Sequence, residues 1–345
     1  MMDDTLKRIA KIVENRLEAF FKEVGVGPVS PIFETRAGSM LLDQVRDLTM
    51  RGGKRLRAAL LVHGAALFDA QAEKRSAVID SAAALELLHT YFLIHDDIMD
   101  GDDIRRGGPA VHAALVKKTG DRNFGQGLGI LAGDLAAALK QVLLIGMDLD
   151  ASRRHKVDRI FATMHLDVVH GQTLDMLGGA SALEVATHKT ASYTTVGPMA
   201  LGAALAGASD MEIEQLAKVA LPLGIAFQFR DDMLGTFGSP SVTGKPVGTD
   251  LKTGKQTILL EEGLKRADSR QARAIQAVLG RANATVEKIE NARDALVQCG
   301  AREACSQLID ELVGEFISGI DEGDYLDEGG EFLVHVARFV AERDE

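Results

Sequence analysis

The chain has no tryptophan and only three tyrosines among its 345 residues. A pocket walled by aromatic rings to stabilise a cation over their faces is therefore poorly supplied. Cysteine occurs twice, as Cys299 and Cys305, with no histidine at zinc-ligand spacing, so neither a disulfide framework nor a zinc site is expected. Two free helical thiols fit a reducing, cytoplasmic setting. Basic residues are outnumbered: the formal charge is -11, which disfavours nonspecific binding to nucleic acid or anionic membranes and confines any anion site to a local patch. The N-terminal stretch MMDDTLKRIAKIVENRLEAFF breaks its apolar residues with charges throughout, unlike a signal peptide. No stretch is read as reaching the roughly 18 uncharged apolar residues of a membrane span, so no transmembrane segment is expected. Proline is scarce, at seven residues, and runs with strand character are nearly absent.

What is present is helix. The chain is 46% hydrophobic, with alanine and leucine in long runs at helical spacing, which predicts an all-α protein with a large core. Length alone allows two domains, but nothing resembles a linker before residue 238, and a single domain over 1–345 is expected. Residues 4 to 24 put Leu6, Ile9, Ile12, Val13, Leu17, Phe20 and Phe21 on one stripe that packs against either its own core or a partner subunit. Further helices are predicted over 37 to 49, 76 to 101, 124 to 147, 151 to 178, 182 to 206 and 211 to 237.

The chemistry is concentrated at the ends of two of these helices. In LELLHTYFLIHDDIMDGDDIRRGGP, residues 85 to 109, Asp96 and Asp100 lie four apart on one helix face with Asp97 beside them. Three carboxylates at one helix end suit an oxygen-seeking cation, and Mg²⁺ fits because it takes its remaining ligands from waters and substrate phosphates. A second apolar run, FQFRDDMLG at 227 to 235, ends in Asp231 and Asp232. Two such ends facing each other would enclose a pocket with metal at its mouth and apolar walls below, the shape of a lipid diphosphate.

Basic residues complete the pattern. Two glycines precede Lys54, Arg55 and Arg57 at a helix start, where cations oppose the helix dipole unless an anion is held nearby. His89 lies two turns before Asp96 and so faces the same way. Arg105 and Arg106 follow in a glycine-rich turn, with planar forks suited to phosphate. Gln172 and Asp175 share a face in HGQTLD, and Lys189 with Thr190 lies in an otherwise apolar helix ahead of a kink at Gly197 and Pro198. Residues 238 to 256, which include Lys245, Asp250 and Lys255, form the longest irregular segment and read as a lid. The last 90 residues carry no obvious chemistry.

In order along the chain, GGKRLR at 52 to 57, DDIMDGDDIRRG at 96 to 107, GQTLD at 171 to 175, HKT at 188 to 190, FQFRDD at 227 to 232 and GKPVGTDLKTGKQT at 244 to 257 resemble the trans-isoprenyl diphosphate synthases of the polyprenyl synthetase family. The resemblance implies the isoprenoid synthase fold, a helical bundle around a deep central pocket, usually in a homodimer. It implies three Mg²⁺ ions, two on Asp96 and Asp100 with Asp97 in support, and a third on Asp231 with Asp232 beside it. Allylic diphosphate would be held by Arg105, Lys189, Lys245 and Lys255, and isopentenyl diphosphate by Lys54, Arg57, His89 and Arg106. Thr190 and Gln228 would line the reacting carbons. The second motif reads DDMLG, so Gly235 stands where relatives often have a third aspartate, and the chain ends ERDE without the basic tail of some relatives.

Resemblance also implies a product ruler. Tyr91 and Phe92, five and four residues before Asp96, sit roughly 6 to 8 Å below the metals as a shallow floor. That predicts a short product, farnesyl diphosphate (C15), with geranylgeranyl diphosphate (C20) if Tyr91 leans aside. A terpene cyclase is disfavoured by the missing aromatics, and a noncatalytic subunit by the retention of both aspartate pairs and the arginines.

Overall fold

The computed structural model describes residues 2–238, 248–281, 283–323, 325 and 327–342, without the side chains of residues 249, 327 and 328. Its helices are α1 (Met2–Val26), α2 (Ser30–Phe33), α3 (Arg36–Met50), α4 (Leu56–Ala66), α5 (Ser76–Asp100), α6 (Val111–Thr119), α7 (Arg122–Ile145), α8 (Ala151–Leu177), α9 (Ala182–Val185), α10 (Gly197–Ala206), α11 (Asp210–Phe237), α12 (Thr249–Thr253), α13 (Ile258–Arg266), α14 (Ser269–Gln276), α15 (Val286–Gln298), α16 (Ala301–Asp321) and α17 (Asp327–Glu342). The expected all-α class holds.

Local chemistry starts the site-bearing helices. Asp150 caps α8 by accepting from the Arg153 amide, and Ser209 with Glu212 forms a capping box at α11. Helix α5 is the central element, with Val78, Leu85, Leu87, Leu88 and Ile94 fully buried. The α1 stripe faces this same core: Ile9, Val13 and Leu17 are almost wholly buried, which settles the choice left open by the periodicity.

Helices α5 and α7 are long and apolar enough to cross a membrane, although charges interrupt both; Glu86, in the middle of α5, is paired with Arg55 at 2.6 Å. Two thirds of the apolar window of α5 is buried in the bundle, where it packs along α7. The segment read as an irregular lid contains helix α12, while residues 239–247, including Lys245, lie outside the described residues.

Between α9 and α10 the chain continues as a π-helix, Ala186–Val196, with the Gly197 amide bonded to Ser192 O. Widened turns of this kind concentrate at functional sites, and this one holds Lys189 and Thr190. Pro198, just inside α10, lacks an amide and crowds the preceding turn, so the kink expected from Gly197 and Pro198 is realised as a widened ladder leading into them. Beyond α5, Ile104–Arg105 and Gly108–Pro109 pair as a two-residue antiparallel ribbon, whose turn places Arg106 and Gly107 at φ +51° and +71°.

Candidate active site

A cavity of about 710 Å³ opens between α5, α8, the π-helix and α11, lined by Asp96, Asp100, Asp231 and Asp232 and, about one turn back along α5 from Asp96, by Tyr91 and Phe92. Its size is ordinary for a small-molecule site. Asp96, Asp97 and Asp100 stand in the last turns of α5, where the helix dipole already disfavours negative charge, so the cluster calls for cations.

Those cations are visible as lysines. Lys189 Nζ lies 2.6 Å from Asp175 and 3.5 Å from Asp96, and Lys255 Nζ lies 3.8 Å from Asp100 and 3.9 Å from Asp175. Gly171 makes this possible: a Cβ there would lie 2.2 Å from the Lys189 amide nitrogen, so only glycine lets the π-helix approach α8. Burial and the neighbouring Asp96 raise the Asp100 pKa against the opposing Lys255 and Lys189. Burial pulls the Lys255 ammonium down, but Asp100, Asp175 and Asp250 outweigh it and raise its pKa.

Asp97 does not join the cavity. It is fully buried and accepts from Arg105 Nε at 2.7 Å, while the Arg105 guanidinium also lies 3.5 Å from Asp96 and 3.7 Å from Asp102. Asp97 anchors Arg105, whose guanidinium also reaches Asp96, so it stands behind the pair that lines the cavity rather than in the lining.

Across the cavity a chain of hydrogen bonds runs from Thr190 through Gln228 to Asp232, with Gln228 Nε2 donating to Asp232 Oδ1 at 2.7 Å. Burial pushes the Asp232 carboxyl up to about 7, opposed by that bond and assisted by Asp250. Asp231 faces the cavity. Asp250, which sequence reasoning placed in the lid without a role, reaches in from α12 beside Gly235. Its only signal in the sequence was its place in GKPVGTDLKTGKQT.

The residues expected around a second diphosphate divide. Arg57 lines the cavity, donating to Thr194 Oγ1 at 2.9 Å with its guanidinium 4.3 Å above the Tyr193 ring. Lys54, His89 and Arg106 stand outside the cavity lining. Lys54 Nζ lies 4.2 Å over the Phe339 ring, and Arg106 packs against Gly53, where a Cβ would lie 3.6 Å from its guanidinium. His89 is buried with Nδ1 unbonded, and burial together with Arg57, Arg106 and Arg105 depresses its pKa strongly. A neutral imidazole among arginines is an available donor for an anion. Arg55 and Arg106 are the only non-glycine residues with positive φ among those described, and both belong to this cluster.

No three carboxylate, imidazole or thiol groups among the described residues form a ready-made metal cage. Asp96, Asp100 and Asp231 present two half-sites across the cavity, and the seating of two ammonium groups among Asp96, Asp100 and Asp175 matches a donor set for hard cations that also take oxygens from a ligand.

Residues 39–296 match the polyprenyl synthetase family. The chain is 34% identical over 262 residues to a short chain isoprenyl diphosphate synthase of Methanocaldococcus jannaschii, covering 74% of this chain and 76% of that one. It is 34% identical over 289 residues to a geranylgeranyl diphosphate synthase of Methanosarcina mazei, covering 81% and 80%. In structure it is similar to a geranylgeranyl pyrophosphate synthase from Corynebacterium glutamicum, solved in complex with isoprenyl diphosphate and magnesium, with a TM-score of 0.89, 33% identity, and 98% and 99% of the two chains covered. With the helical cavity, its paired aspartate ends and a match across most of its length, the chain belongs to the polyprenyl synthetase family of trans-prenyltransferases.

Proposed function

We propose that this protein condenses isopentenyl diphosphate with allylic diphosphates, in a Mg²⁺-dependent reaction, to give geranylgeranyl diphosphate. The observation that carries the reading is the pair of aspartate ends, Asp96 with Asp100 and Asp231 with Asp232, lining one cavity that the Tyr91 and Phe92 rings also line. The C20 product replaces the C15 expectation. Relatives named for geranylgeranyl diphosphate support it.

Bound Mg²⁺ would supply positive charge to the departing allylic diphosphate, held on Asp96 and Asp100 and on Asp231. Arg105, Lys189 and Lys255 would add fixed charge at the same end, where preorganised electrostatics contribute most to catalysis. Lys245 would act with them. Arg57, with Lys54, His89 and Arg106, would hold the isopentenyl diphosphate, while Thr190 and Gln228 would face the reacting carbons. As the isopentenyl double bond attacks the allylic carbon, the diphosphate departs, and that diphosphate accepts the final proton.

A second copy of the chain would cover the apolar faces of α7 and α8, where Ile130, Leu131, Ile145 and Leu166 are exposed. That supports a homodimer. The site is tested by Asp96→Ala and Asp231→Ala: each should lower turnover by orders of magnitude with the helical circular dichroism intact, because clustered carboxylates repel one another without metal. Near-normal turnover in either variant would remove the two-sided site.

A further inference from the structure

Tyr91 and Phe92 line the cavity about one turn back along α5 from Asp96, and the side chains packed against their rings are not all apolar. His165 meets both edge-on, at 4.9 Å from Tyr91 and 5.6 Å from Phe92. On α8 it lies two turns before Gln172, about 10 Å farther from the mouth. Helix α7 runs antiparallel to α5, since Gly129 abuts Ile98 and Gly133 abuts His95. Two turns beyond Gly133, at the depth of His165, stands Lys140, which is only 8% exposed, with its ammonium 5.7 Å from the Phe161 ring. Burial lowers the Lys140 pKa against Asp158, and burial together with Lys140 and His95 lowers that of His165, so the imidazole lies within the field of the ammonium.

We propose that His165 and Lys140 form a second, polar stop behind the aromatic floor, and so help to set product length. The inference rests on the synthase reading above. A prenyl tail that displaced the rings would next have to press hydrocarbon against an imidazole and an ammonium, stripping polar groups of favourable surroundings without offering a hydrogen bond. An apolar layer at that depth would instead accept the tail as it accepts any core side chain. Removing the rings alone therefore opens limited room.

The test compares dephosphorylated products by chromatography for the wild type, Y91A/F92A, Y91A/F92A/H165L/K140M and the polar control Y91A/F92A/H165N/K140R, each given isopentenyl and farnesyl diphosphates with Mg²⁺. H165L and K140M are also made singly in the Y91A/F92A background, so that loss of fold in the combination, checked by thermal melting, still leaves a reading. The expected result is a main product at least one isoprene unit longer in the apolar combination, or in either single addition, than in Y91A/F92A, with the polar control matching Y91A/F92A. Equal lengths in Y91A/F92A and every apolar variant, or equal lengthening in the polar control, would overturn the second stop while leaving the synthase reading intact. A wild type that makes no linear product would remove both.

Discussion

The carboxylate of Asp250 fills the space that a side chain on Gly235 would need, since a Cβ at residue 235 would lie 2.0 Å from Asp250 Oδ2. Helix α11 carries Asp231 and Asp232 one turn earlier, so a carboxylate from α12 stands where a third acid on α11 would stand. Gly235→Ala should displace the end of that flexible side chain without unfolding the protein, because alanine is favoured over glycine in a helix by about 0.5 to 1 kcal/mol. The expected outcome is an unchanged or slightly raised melting temperature with turnover lowered at least about tenfold, a loss of about 1.4 kcal/mol in barrier stabilisation. Full activity in Gly235→Ala would show that the place of Asp250 is immaterial.

The basic cluster rests on a buried ion pair. Arg55 Nη1 donates to Glu86 Oε2 at 2.6 Å and its Nη2 to Thr49 O at 2.6 Å, with both charged side chains almost completely buried. Glu86→Ala removes the nearest carboxylate and leaves Glu14, 3.5 Å from Arg55 Nε, as the remaining one, so the loss is at most about 3 to 5 kcal/mol, that of breaking a buried pair. A melting temperature lowered by several degrees in differential scanning calorimetry is expected, and an unchanged one would contradict the pairing.

His63 predicts an acid-sensitive core. Its ring stacks on Phe332 at 3.8 Å with both nitrogens unbonded, and burial, with Arg8, lowers its pKa to about 4. The unfolded chain takes up a proton near pH 6.5 while the folded one does not, so the stability contribution is whole above that pH and is lost as pH falls toward 4. At about 1.4 kcal/mol per pH unit the loss is on the order of 3 kcal/mol. His63→Phe should keep the stack and flatten the melting temperature between pH 6.5 and 4; an equally steep decline would assign the acid sensitivity elsewhere.

The division of the two diphosphates is open to kinetics. Arg106→Ala or Lys54→Ala should raise KM for isopentenyl diphosphate roughly ten- to hundredfold, the effect of losing a charged hydrogen bond of about 1.5 to 3 kcal/mol. The allylic KM should move less. Equal effects on both substrates would mean that these residues do not separate the two sites.

Much of this site was legible in the sequence because it is carried by spacing within single helices. Asp96 and Asp100, four apart, needed only the helical period to share a face. What could not be read was contact between distant segments. The crossing of Asp250 to Gly235 and the approach of Lys189 to α8 over Gly171 each depend on how helices pack, which no local pattern encodes. The π-helix was likewise hidden, since the residues before Gly197 and Pro198 have the same apolar rhythm as an ordinary helix.

The most direct measurement is a condensation assay with the purified protein, isopentenyl diphosphate, Mg²⁺ and dimethylallyl, geranyl or farnesyl diphosphate, followed by chromatography of the dephosphorylated products. Geranylgeraniol as the main linear product is predicted. No linear product, a cyclised terpene, or chains of C30 and longer would contradict the account.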